Sequence, residues 1–101
     1  MKTLELDLDL SLIKTNEVLT NQSVWEGFII QGARSAFKDG VDLKMQSKLL
    51  KIIDKINSAN GSVELEDAEF EVIKDIKDKS KFDVSYFRIG SQIMEKIQEV
   101  K

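Results

Sequence analysis

The 101-residue chain contains no histidine and no cysteine, so its reactive side chains are mainly 18 carboxylates and 15 lysines and arginines. Missing histidine removes the commonest general base at neutral pH and the commonest metal ligand. Missing cysteine removes disulfides and thiolate metal sites. Carboxylate chemistry of the glycosidase type needs two acids facing each other across a cleft, and no pair here sits in a recognisable pocket motif. The run "DLDL" at 7–10 does not match a calcium loop. "GSVELED" at 61–67 lacks the lysine and the spacing of a phosphate loop. The sequence therefore predicts no catalytic residue, no metal site, no cofactor and no enzymatic activity.

Three constellations remain, each with a structural reading and a functional one. Glu5, Asp7 and Asp9 alternate with leucines. On a strand they recur about every 6.8 Å, broadly the spacing of phosphates along a nucleic-acid strand, so the row is either plain solvation or a mimic of such a polyanion. Lys44, Lys48, Lys51 and Lys55 form one helical stripe, roughly 110° from the centre of the neighbouring apolar stripe at 100° per residue. They are a solvated face, a partner for the acids at 64–71, or a contact for phosphate or an acidic partner. Trp25, Phe28 and Ile30 stand close together on one helix. They are core residues or the aromatic and aliphatic anchors of a protein interface.

These residues need elements to hold them. Leucine at 4, 6, 8, 10 and 12 predicts a strand with all five on one face and the acids on the other. Lys14–Glu17 reads as a turn, and Val18–Leu19 as a short returning strand. A helix follows to about residue 38, started by Ser23 with Glu26 as a capping box or by Thr20, with Gly27 and Gly32 weakening it and Asp39-Gly40 ending it. "DLKMQSKLLKIIDKINSANG" is a second helix with Met45, Leu49, Ile52, Ile53 and Ile56 inward. "SVEL", 62–65, is a short strand. A third helix begins at Glu66 or Asp67, with Leu65 and Phe70 closing its entry. Asp83 caps a last helix whose buried side is Tyr86, Phe87, Ile93, Ile97 and Val100, with Gly90 admitting another helix. The expected fold is one α+β domain over 1–101: a two- or three-stranded sheet, the N-terminal strand plus 62–65, packed on about four helices. At least one long strand edge is expected to be open.

Charge is unevenly placed. The net −3 divides into −4 over 62–79 and +2 over 21–61, with the two ends nearly cancelling. That balance argues against a dominant nucleic-acid footprint. No apolar run approaches the roughly 20 residues of a membrane helix, so a cytoplasmic protein is expected, in a bacterial host cell.

The stretch "SKLLKIIDKINSANGSVELEDAEFEVIKDI", followed by a short amphipathic helix and preceded by a leucine-rich strand, resembles the layout of small, uncharacterised accessory proteins of tailed phages and prophages. The resemblance spans roughly residues 1–12 and 43–100. It implies a phage accessory protein and brings no catalytic motif.

The function expected from the sequence is therefore non-catalytic protein–protein interaction. Its form is binding and inhibition of a host protein, such as an immune nuclease of the CRISPR type, through Trp25, Phe28 and Ile30 and the acids Glu5, Asp7 and Asp9. The alternative is an oligomeric structural or assembly component of a phage. The third is a nucleic-acid-binding module using the lysine stripe.

Overall fold

The computed structural model describes residues 1–12, 19–83 and 86–100. Among them the order is β1 (Lys2–Glu5), a 3-10 turn (Leu10–Leu12), α1 (Asn21–Ala36), α2 (Leu43–Asn57), β2 (Ser62–Leu65), α3 (Asp67–Lys79) and α4 (Phe87–Gln98). This is a small α+β fold with four helices and a two-stranded antiparallel sheet. The turn expected at Lys14–Glu17 and the strand residue Val18 lie outside the described residues. So do Val84 and Ser85, the expected start of the last helix.

The leucine alternation sets faces further than it sets pairing. Leu4 and Leu6 are buried, Leu8 and Leu10 half-buried, and Glu5, Asp7 and Asp9 exposed. The strand itself, however, ends at Glu5, not Leu12. Its partner β2 supplies only four residues, paired from Lys2 with Leu65 to Glu5 with Ser62. Beyond that point the extended backbone is held by other groups. Leu6 N–H donates to the Gly61 carbonyl at 2.8 Å, and the Leu6 carbonyl accepts from the Trp25 indole at 2.8 Å. Leu8 N–H donates to Asn21 Oδ1 at 3.1 Å. Asp9 is held by Gln92 through both backbone groups, N–H to Oε1 at 2.7 Å and carbonyl from Nε2 at 3.1 Å. Beyond Glu5 the backbone of Leu6, Leu8 and Asp9 is thus held by the Gly61 carbonyl and by side chains from α1 and α4.

Helix starts follow capping chemistry. Thr20, not Ser23, caps α1. Its hydroxyl accepts from Ser23 N–H, and Ser23 Oγ in turn accepts from Thr20 N–H. Asp42 caps α2 by accepting from Met45 N–H at 2.7 Å. Glu66 precedes α3, and Glu69 reaches back to accept from its N–H at 2.9 Å.

One core joins sheet and helices. Ile52 and Ile56 of α2 are buried, with Met45, Leu49 and Ile53 half-buried beside them, as the periodicity predicts. Close approach between helices occurs at Gly32 rather than Gly90. A Cβ on Gly32 would collide with Ile76 Cγ2 of α3, whereas at Gly90 it would meet only Tyr86, at 3.4 Å. The helix penalty of Gly32 is therefore offset by the packing of α1 on α3.

Candidate interaction surface

Trp25 and Phe28 do not form an exposed anchor. Trp25 is fully buried and Phe28 nearly so, both in the core. The Trp25 ring meets Phe28 edge-on at 6.0 Å, and its indole N–H is used by Leu6. Of the three expected anchors only Ile30 reaches the surface, 38% exposed. The physical reason is the width of the α1 apolar face. Val24, Trp25, Phe28 and Ile29 all face the core, and Ile30 falls outside that arc.

The lysine stripe is divided. Lys55 Nζ donates to Glu69 Oε1 at 2.6 Å, and Glu69 is nearly covered. Burial by itself would raise the Glu69 pKa. The Lys55 hydrogen bond and the Glu66 N–H outweigh it and hold the carboxyl below its ordinary range. The hydrogen bond from Lys55 raises the lysine correspondingly. Lys55 thus lies against the acids of its own chain. Lys44 and Lys51 remain exposed and Lys48 half-exposed.

The acids Glu5, Asp7 and Asp9 share the outer face of the extended N-terminal segment and point away from the core. Asp7 accepts from Asn21 Nδ2 at 3.2 Å. Asp9 accepts from Ser11 through hydroxyl and backbone, and its carboxyl is held low by these bonds. Two of the three acids therefore order the N-terminal segment. Among the described residues no three acidic side chains converge as a metal ion would require.

A separate apolar surface feature lies elsewhere. A groove of about 490 Å³ opens where α1, the end of α3, the segment after it and the first half of α4 meet. Phe28, Phe82, Tyr86, Phe87, Ile93 and Met94 line it, together with Lys77, Ser80, Asp83, Gly90 and Ser91. Its aromatic wall is a stack: Phe28 on Phe82 at 5.7 Å, and Phe82 on Tyr86 at 4.5 Å with the rings 12° apart. Burial pushes the Tyr86 phenol up to about 12. Phe87 is 64% exposed and Met94 47%. The expectation that Phe87 faces the core is therefore corrected. It lies roughly 100° around α4 from the Ile93–Ile97 line at 3.6 residues per turn, with Arg88 over its ring at 5.8 Å. Helical angles alone could have revealed this.

A second, more polar cleft of about 450 Å³ adjoins the first across Phe82 and Tyr86. It is lined by Gln31, Arg34, Ser35, Lys81, Phe82, Asp83 and Tyr86. Ser35 Oγ fixes its floor by accepting from Lys81 N–H at 2.7 Å. Arg34 and Lys81 are exposed, and among the described residues neither is in an ion pair.

Fold and surface together define a small α+β domain with an aromatic groove. No helix among the described residues is long and apolar enough to cross a membrane. No protein-family model, curated protein or solved structure matches the chain.

Proposed function

We propose that this protein is non-catalytic and acts by binding another protein through the groove beside Phe87 and Met94. The observation that carries the reading is Phe87, a phenylalanine 64% exposed at an apolar groove of about 490 Å³. Apolar patches of this kind cost solubility and mark interaction sites. Aromatic side chains seated in pockets supply most of the energy of protein interfaces. The layout shared with phage and prophage accessory proteins suggests the setting, a phage protein in a bacterial host cell. Binding and inhibiting a host protein, an immune nuclease of the CRISPR type being one class, is the role proposed there. Nucleic-acid binding is disfavoured by the use of Lys55 within the chain and by the net charge of −3.

The test is affinity purification of the tagged protein from extract of infected host cells, beside a Phe87→Asp variant shown to be folded by circular dichroism. A stoichiometric host protein lost with the variant is the expected result. Virion proteins in its place would indicate the assembly role, and nuclease-sensitive DNA or RNA the third. A host partner retained undiminished by Phe87→Asp would remove the groove from the interface.

A further inference from the structure

We infer that the outer edge of β1 is a second docking element, independent of the groove, and that it takes an extended segment of a further protein with lysine or arginine at alternate positions. The register fixes which backbone groups are available. Leu6 N–H donates to the Gly61 carbonyl, and the ladder continues through Leu4 with Val63 and Lys2 with Leu65. Residues of even number therefore turn their N–H and C=O groups towards β2, and Thr3 and Glu5 turn theirs the other way. Among the described residues the backbone groups of Thr3, Glu5 and Asp7 have no hydrogen-bond partner. The free stretch ends at Asp9, where Gln92 takes both backbone groups. Unpaired groups along a sheet edge are a template for another strand. A strand is also the occupant that presents donors and acceptors at the matching repeat of about 6.8 Å.

Side chains on the solvent face select its sequence. Glu5 and Glu64, on adjacent strands, are exposed, and among the described residues neither is in an ion pair. Asp7 continues the row, while the Met1 ammonium is turned to Asp67, 4.0 Å away. Lys2 belongs by parity to the opposite face. Basic side chains opposite Thr3, Glu5 and Asp7 would meet these acids as cross-strand pairs. A second copy of this chain is disfavoured by the same acids. Two-fold antiparallel pairing centred on Leu4 or on Glu5 sets Glu5 diagonal to, or opposite, its own copy.

The experiment uses the full chain and two short synthetic peptides, one alternating lysine with valine and the other glutamate with valine. In the free protein the Thr3, Glu5 and Asp7 amides should exchange with solvent unprotected, while Leu4 and Leu6 are protected. The lysine peptide should shift those three amides and slow their exchange, and the glutamate peptide should bind at least about tenfold more weakly. Thr3→Pro removes an outward N–H that β2 does not use, so it should lose binding while circular dichroism stays unchanged. Glu5→Lys should reverse the preference between the peptides, and it carries the test if Thr3→Pro fails to fold. Phe87→Asp should change nothing. Protected Thr3 and Glu5 amides in the free protein overturn the inference, as does no binding of the lysine peptide up to about 1 mM. Equal binding of both peptides, binding undiminished in folded Thr3→Pro, or binding lost in Phe87→Asp also overturns it. Dimerisation of the chain lost on Thr3→Pro overturns it in favour of a second copy.

Discussion

Gln92 and Asp9, 83 positions apart in sequence, are joined by two hydrogen bonds: Asp9 N–H to Gln92 Oε1 at 2.7 Å and Gln92 Nε2 to the Asp9 carbonyl at 3.1 Å. The side-chain amide occupies the place of a neighbouring strand. It ties α4 to the N-terminal segment just where β2 has run out. Gln92→Ala should therefore destabilise the protein by about 1 kcal/mol, the net worth of such bonds. Amide exchange should speed up at Leu8–Leu10 before it does in α3. Unchanged exchange there would show that Gln92 does not hold the segment.

The two α1 glycines should respond oppositely to alanine. At Gly27 a Cβ has nothing within 4 Å, so Gly27→Ala should gain roughly 0.5–1 kcal/mol from helix propensity. At Gly32 the Cβ meets Ile76 of α3, and Gly32→Ala should lose about 1–3 kcal/mol through overpacking. Urea denaturation of both variants measures the difference.

Trp25 is the only tryptophan, and its indole N–H donates to Leu6 from a fully buried position. Trp25→Phe leaves the Leu6 carbonyl without that donor and should cost about 1–3 kcal/mol. In the wild type the fluorescence should be blue-shifted and resist iodide quenching. Strong quenching in the native state would contradict the core assignment.

The Lys55–Glu69 pair gives stability a pH dependence at both ends. Glu69 has a lowered folded pKa, so its contribution is present above the unfolded carboxyl pKa and is lost as pH falls through the folded one. Lys55 is raised, so its contribution is present below the unfolded lysine pKa and is lost as pH rises through the folded one. Glu69→Gln should flatten the acid limb of a stability–pH curve measured by urea denaturation. An acid limb identical to that of the wild type would show that Glu69 gains nothing on folding.

Much of the architecture is readable in the residues themselves. The leucine–acid alternation assigns faces correctly from Leu4 to Asp9 because side chains in any extended segment alternate, paired or not. It overstates the strand because pairing depends on a partner, and "SVEL" provides four residues. The α2 stripe and the β2 limits follow from period and from the Asn60-Gly61 break. The surface is harder to read. Trp25 and Phe28 could be core or anchors until α2 and α3 are seen to pack on α1, a long-range fact that local spacing does not carry. Phe87 looks like core because it follows Tyr86, yet the Ile93–Ile97 line already placed it off the buried face. The close approach at Gly32 depends on Ile76, 44 positions later, and could not be told from the nominal one at Gly90.

The central claim is that the groove, not the acidic face or the lysine stripe, meets the partner. Hydroxyl-radical footprinting tests it directly, because Met94 and Phe87 are exposed and readily oxidised. The measurement compares the free protein with its complex purified from infected cells, with exposed Met1 and Leu43 as references. The account predicts that oxidation of Met94 and Phe87 falls severalfold in the complex while Met1 and Leu43 are unchanged. Met94 and Phe87 oxidised as fully in the complex as in the free protein would contradict it.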